Sequence, residues 1–260
     1  MVLTRLGNKR KLAKQLHANF LPHRMRIELF FGAGGSYFYL PTPKFSILND
    51  ADSDVTNLYL VMLDQKEELK KQLELLPVSE SLIKYYLKNE ETDPVRKAVR
   101  FLLLSNFTYM GKGDTIRLGI GHCKRNLIDR IEPTFQMLKN AKITNVDFRK
   151  VLGKISFNEK VTPKSDCLCY LDPVYLGTEH TYKVNKWTVN DTEDCFKIMD
   201  TSGINSAMSE FATEPVLDFA SDYKMNVIYL EERRNLKNIR QEILITNYVK
   251  PKKVTYSLNL

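Results

Sequence analysis

The sequence predicts an α/β fold, a parallel sheet interrupted by a long and mainly helical insertion. Two strand-like stretches, residues 26–31 and the apolar run 167–171, stop abruptly in glycines or in an acid and a proline, as buried strands do at their carboxyl ends. Between them, from Leu63 to Lys142, apolar residues recur at helical spacing. The 260 residues, 43% of them hydrophobic, are enough for one α/β domain with an inserted subdomain. The division read from this pattern is a sheet domain formed by residues 1–62 and 143–260, with residues 63–142 as the insert.

Taken in order, Leu3 to Phe20 alternates basic and apolar residues, with Leu12, Leu16 and Phe20 four apart, and predicts a short basic helix. Arg26 to Phe31 is a buried strand stopped by Gly32, Gly34 and Gly35. Phe45 to Leu48 is a second strand closing on Asn49 and Asp50, and Asp54 to Met62 has helical periodicity. Lys66 to Leu104 reads as helices separated at Pro77 and Pro94. Ser105 to Asn126 holds Gly111, Gly113, Gly119 and Gly121 among basic and aromatic residues, the composition of a functional loop or hairpin. A helix over residues 127–138 follows. Strands are expected at residues 143–146, 167–171 and 204–207, helices at 191–201 and 214–223, and closing strands at 225–230 and 242–247.

A formal charge of +8 and a pI near 9.1 favour a polyanionic partner, since a basic face gains free energy by releasing counterions from phosphates. Cys123, Cys167, Cys169 and Cys195 include no Cys-x-x-Cys pair, and Cys167 and Cys169 share one strand face, so reduced structural thiols are expected. His17, His23, His122 and His180 are too scattered to predict a metal site. No early apolar segment has the length of a signal peptide and no run approaches ~18 apolar residues, so a cytoplasmic protein without membrane contact is expected.

Two stretches carry chemistry. In Phe30-Phe31-Gly32-Ala33-Gly34-Gly35 the missing Cβ atoms let backbone N–H groups approach a ligand. Asp50, at the end of the next strand, lies 18 residues beyond Gly32, near the ~20 usual for a nucleotide-binding unit. One carboxylate there can accept from both hydroxyls of a ribose. The absence of a Gly-x-Gly-x-x-Gly points to a nucleoside cofactor rather than a dinucleotide. The second stretch, Cys169-Tyr170-Leu171-Asp172-Pro173-Val174-Tyr175, brings an acid, a proline and an aromatic to the edge where open α/β sheets bind ligands.

In combination these stretches resemble the S-adenosylmethionine-dependent DNA adenine methylase family, whose catalytic motif is Asp-Pro-Pro-Tyr; here Val174 replaces the second proline. Lys9, in Leu6-Gly7-Asn8-Lys9, matches the family's amino-terminal lysine motif, although Arg5 stands where an aromatic commonly opens it. Phe30 to Gly35 matches the methyl-donor motif, Asp50 the ribose-binding acid, and Asp147-Phe148 the pair that holds the cofactor adenine. By itself Asp147-Phe148 also reads as a helix cap followed by a core aromatic.

The resemblance implies a Rossmann-like class I methyltransferase sheet with a helical target-recognition insert. It also implies methyl transfer from S-adenosylmethionine to the exocyclic N6 amine of adenine in duplex DNA, by base flipping and without a metal. Asp172 and the Pro173 carbonyl would accept the two amine hydrogens, and Tyr175 would stack on the flipped base. The recognition hairpin falls within residues 105–126, which makes Tyr109, Lys112, Arg117, Lys124 and Arg125 candidates for DNA contact. Arg233-Arg234-Asn235 resembles a further loop near DNA. The motif order, cofactor then insert then catalysis, favours the adenine enzymes of bacteria and phages, which can act beside a cognate restriction nuclease. Competing readings are a methyltransferase acting on cytosine N4 or on RNA, because Asp-Pro-x-Tyr selects a planar amine more than a ring, and a catalytically weak DNA-binding relative.

Overall fold

The structure is a computed structural model that describes residues 1–4, 7–39, 41–109, 115–117, 119, 123–178, 186–234 and 239–251. Strands β1 (Met25–Glu28), β2 (Phe45–Asn49), β3 (Ala141–Thr144), β4 (Cys167–Leu171), β5 (Asn205–Phe211), β6 (Asn226–Arg234) and β7 (Ile239–Thr246) form one seven-stranded sheet in the order β3-β2-β1-β4-β5-β7-β6. The first five are mutually parallel; β7 runs antiparallel to β5 and closes a hairpin with β6. From β1 the chain moves outward to β2 and β3, then returns across to β4. The crevice between the carboxyl ends of β1 and β4 is therefore the switch point where such sheets bind ligands.

Every residue of β4 is buried, as its unbroken apolar run requires of a central parallel strand. Cys167, Cys169 and Leu171 enter one core with helices α9 (Val189–Thr201) and α10 (Glu214–Asp222), while Leu168 and Tyr170 face α1 (Ala13–Asn19) on the other side. The two cysteines thus share a face, as the strand period demands. Strand β1 is equally buried but carries two charges on one face. Arg26 Nη2 lies 2.7 Å from Glu28 Oε1 and also donates to Ser36 Oγ at 2.7 Å, so neither ion is left uncompensated.

The helices start where their capping residues stand. Asp52 caps α2 (Ser53–Asp64), Ser79 caps α4 (Glu80–Lys88), and Asp93 with Pro94 starts α5 (Pro94–Phe107). Pro77 lies in the break after α3 (Lys66–Leu75). Val95, Ala98, Val99, Leu102 and Leu103 form the buried stripe of α5, and they share one core with Leu48 of β2 and with Val55, Leu58 and Met62 of α2. The inserted segment therefore has no separate core. It extends the layer that covers one face of the sheet.

Several boundaries differ from those expected: β1 stops at Glu28, three residues short of Phe31, and β6 runs on to Arg234 because β7 pairs along it. Only Ala13–Asn19 of the amino-terminal segment is α-helical: Gly7 takes a φ of 83°, and Asn8 caps a single 3-10 turn over Lys9–Lys11. Upstream of that turn the chain is tied to α5, with the Thr4 amide donating to Ser105 Oγ and Asn106 Nδ2 donating to the Val2 carbonyl. The helix expected over residues 127–138 is two, α6 (Lys124–Ile128) and α7 (Ile131–Leu138), broken at Asp129 and Arg130. Strand β3 begins and ends two residues before the span expected from its apolar residues, and β5 runs on to Phe211 because β7 pairs with its far half.

Candidate active site

Asp50 sits where the glycine turn begins. Its Oδ2 accepts from the Gly32 amide at 2.6 Å, and its Oδ1 accepts from the Asp52 amide at 2.8 Å. Buried Asn49 ties three strand ends together: its Nδ2 donates to the carbonyls of Leu29 and Val146, each at 3.0 Å, and its Oδ1 accepts from Thr144 Oγ1 at 2.8 Å. Gly32 has a φ of 50°, and a Cβ built there would meet no atom within 4 Å. Gly34 also has a positive φ, 67°, but its Cβ would fall 2.4 Å from the Phe38 ring; at Gly35 it would fall 1.8 Å from Asn8 Oδ1. One glycine thus faces open space and two serve close packing. Ala33 is buried beside them. Open room over Gly32, rimmed by the Asp50 carboxylate, fits a nucleoside cofactor held through its ribose.

Phe30, at the mouth of this turn, packs 5.0 Å from Phe148 and 5.6 Å from Trp187, ring centre to ring centre. Asp147 caps the short helix α8 (Phe148–Val151) by accepting from the Arg149 amide, and it also pairs with the Arg149 guanidinium at 3.1 Å. Arg149 further binds Asp191 and Asp194. Asp147 thus caps the helix, and Phe148 places one wall of an aromatic cluster beside the glycine turn.

Across the crevice, Lys9 Nζ lies 2.9 Å from Asp172 Oδ1 and 4.4 Å from the Tyr175 ring centre, and it donates to the Gly7 carbonyl at 3.2 Å. Lys9 is 4% exposed and the Asp172 side chain 22%. A buried ammonium against a carboxylate is a close, charge-assisted pair. Pro173 and Tyr175 are buried. Tyr175 stands edge-on to Phe211 at 4.6 Å, and burial, followed by the charge of Asp172, pushes its phenol well above the usual value. The ring that was expected to stack on a base is thus held between a lysine and a phenylalanine.

Two buried acids lie behind the crevice. Glu28 is raised to about 7 by burial, against the pull of Arg26. Glu210, near the end of β5, is raised to about 8 by burial; its Oε1 accepts from the Leu176 amide at 2.6 Å and its Oε2 from the Phe211 amide at 2.8 Å. Beside it a cavity of about 370 Å³ is lined by Leu176, Gly177, Phe211, Ala212, Thr213, Arg240 and Gln241. Asn49, Trp187 and Glu210 escaped the sequence reading. Glu210 follows a stretch of mixed polarity, Asn205-Ser206-Ala207-Met208-Ser209, that gives no sign of a buried acid.

The recognition candidates separate. An isolated antiparallel bridge joins Thr108 and Ile116, with the Tyr109 amide donating to the Thr115 carbonyl; Tyr109 is 55% exposed. The Arg117 amide donates to the Phe107 carbonyl, and its side chain lines a cavity of about 320 Å³ with Cys123 and Lys124. Lys124 Nζ donates to the carbonyls of Glu74 at 2.7 Å and Leu76 at 2.9 Å, at the end of α3. Arg125 and Cys123 are exposed. Arg130 has its pKa lowered by burial and then by the charge of Arg10. Lys112, Asn235 and Arg5 lie outside the described residues. Arg233 and Arg234 fall in the far half of β6.

Among the described residues no helix is long and apolar enough to cross a membrane, and no group of three or more histidine, cysteine or acidic side chains is arranged to hold a metal ion.

A mixed sheet with this strand order, an acid-rimmed glycine turn after β1 and an acid-proline-aromatic turn after β4 define a Rossmann-like methyltransferase. Residues 6–236 match the model of the D12 class N6 adenine-specific DNA methyltransferases, and the chain belongs to that family. It transfers a methyl group from S-adenosylmethionine to the N6 amine of adenine in DNA, which decides against the cytosine and RNA readings. The type II methyltransferase M1.LlaDCHI of Lactococcus lactis subsp. cremoris is 24% identical over 277 residues, 93% of each chain. Among solved structures, Trm5b from Pyrococcus abyssi aligns with a TM-score of 0.36 at 11% identity, covering 94% of this chain and 50% of that one. The N-terminal domain of human METTL16 in complex with SAH gives 0.37 at 9%, covering 92% and 68%.

Proposed function

We propose that the flipped adenine is received at the turn after β4, where Asp172 and the Pro173 carbonyl accept the two hydrogens of its amine and turn the nitrogen lone pair toward the methyl donor. S-adenosylmethionine, when bound, supplies an electrophilic methyl on a sulfonium. Asp50 would accept the ribose hydroxyls, Gly32 to Gly35 give the backbone room to approach, and Phe30 and Phe148 line the apolar side. The observation that carries this reading is the Lys9–Asp172 contact of 2.9 Å. A cationic nitrogen already rests on the carboxylate that must stabilise the amine as it becomes cationic, so Asp172 is preorganised for the charge that develops. Entry of the base then requires Lys9 to give up Asp172 and the Tyr175 face, which frees that ring for stacking.

Residues 63–142 serve target recognition in this reading. Exposed Tyr109 and Arg125, together with Arg117, contact bases or phosphates, and Lys124 supports the segment rather than touching DNA. The enzyme works in the cytoplasm, with a cognate nuclease as its expected companion. The test is transfer of labelled methyl to mixed-sequence duplex DNA, with Asp172→Ala beside wild type and nucleoside analysis of the product. N6-methyladenine from wild type and none from Asp172→Ala supports the assignment. An Asp172→Ala enzyme of wild-type rate removes Asp172 from the reaction.

A further inference from the structure

We propose that Glu210 is a positioning residue for the methyl-transfer turn, supplying from β5 the restraint that a second proline gives in the Asp-Pro-Pro-Tyr motif. Proline fixes its own φ near −65°, so two in succession leave the turn little freedom. Val174 carries no such lock. The backbone leaving this turn is held from outside instead: the Leu176 amide donates to Glu210 Oε1 at 2.6 Å, and Tyr175 packs at 4.6 Å against Phe211, the neighbour of Glu210. Glu210 is itself fixed, being fully buried, paired in register with Ile243 of β7, and accepting from the Phe211 amide through its second oxygen. The carboxylate is therefore a rigid post on the sheet, and the turn that bears Asp172 and Tyr175 hangs on it. Among the described residues the Val174 amide donates to no group, so a proline there would break no hydrogen bond.

The inference rests on the methyl-transfer reading for its kinetic test, which is a double-mutant cycle. Wild type, Glu210→Gln, Val174→Pro and the double variant are compared in single-turnover methyl transfer to duplex DNA, with S-adenosylmethionine affinity measured on the same samples. Above about pH 8, where the Glu210 carboxyl is ionised and can accept from both amides, Glu210→Gln keeps the size of the side chain but sets an amide nitrogen against one of two N–H donors. It is expected to slow transfer by about 10- to 100-fold, the scale of a small misplacement of reacting groups, with cofactor affinity unchanged. Adding Val174→Pro is expected to restore most of that rate. A Glu210→Gln enzyme of wild-type rate, or a double variant as slow as Glu210→Gln, overturns the proposal. Amide hydrogen exchange at Leu176 in the wild-type protein decides it independently of folding in the variants or of activity. Strong protection supports it and free exchange overturns it, even if the protein transfers no methyl to DNA, a result that would instead remove the functional reading.

Discussion

Gly32 and Gly34 are both left-handed, yet alanine should fail at them in different ways. At Gly32 the φ of 50° costs an L-residue about 1–2 kcal/mol, and the new methyl meets nothing within 4 Å. At Gly34 a similar backbone cost is joined by a Cβ 2.4 Å from Phe38 and 2.8 Å from Phe31, an overpacking of about 1–3 kcal/mol more. With roughly 2–4 °C lost per kcal/mol in a chain of this size, Gly32→Ala should melt roughly 2–8 °C below wild type and Gly34→Ala roughly 4–20 °C below. Cofactor binding should follow the opposite order. The Gly32 methyl occupies the room assigned to the nucleoside, so affinity for S-adenosylmethionine should fall about tenfold or more, which is about 1.4 kcal/mol. Gly34→Ala, measured well below its melting point, should bind within a few-fold of wild type. Calorimetric titration and thermal melting on the same preparations give both quantities. If Gly32→Ala binds as wild type does, the open space over Gly32 is not the cofactor site; if the two variants melt together, the packing argument for Gly34 fails.

Other substitutions probe the remaining parts. Val174→Pro should transfer methyl at least as fast as wild type in a steady-state assay, and a slower enzyme counts against the turn's having been loosened by valine. Lys124→Ala should lower the melting temperature through loss of the contacts to Glu74 and Leu76, about 1 kcal/mol, and leave the salt dependence of DNA binding alone. Arg125→Ala should leave melting unchanged and reduce the slope of log affinity against log salt by about 1, as read by fluorescence anisotropy over a salt series. The pH dependence of stability has a defined sign at Glu210. Its pKa is raised from 4.5 to about 8, so the folded state keeps a proton the unfolded state has released; this contribution is complete below about pH 4.5 and is lost as pH rises through about 8. Glu210→Gln, which cannot ionise, should therefore gain in melting temperature relative to wild type between pH 5 and pH 8 and run parallel above that. Lys9 and Asp172 are the charges that act on Glu210, and Tyr175 and Cys195 are the groups that feel its own charge.

What could be read from the sequence was local. A strand with both faces buried leaves an unbroken apolar run, which is why residues 167–171 and the turn at Asp172 stood out, and the Gly32-to-Asp50 spacing reflects one strand–turn–strand unit. What escaped depends on contacts between distant segments. Arg26 and Glu28 interrupt an apolar strand yet are buried, because each compensates the other across one residue of the pleat. Lys9 was singled out by motif, but its seat on Asp172 depends on Gly35 allowing Asn8 to pack close and cap the turn that carries it. Lys124 looked like part of a charge cluster because composition records the charge and not the helix end that consumes it. Asn49 and Glu210 are polar residues in strands, and only the fold brings them their partners.

The distribution of thiols has a practical consequence. Cys167, Cys169 and Cys195 are buried, and burial raises all three pKa values, Cys167 to about 11, so few thiolates form there near neutral pH. Cys123 is exposed, next to Lys124 and Arg125 on the rim of the cavity that Arg117 lines. A maleimide dye added to the unmodified protein should attach at that one position, giving an optical reporter of the inserted segment without any cysteine having to be removed.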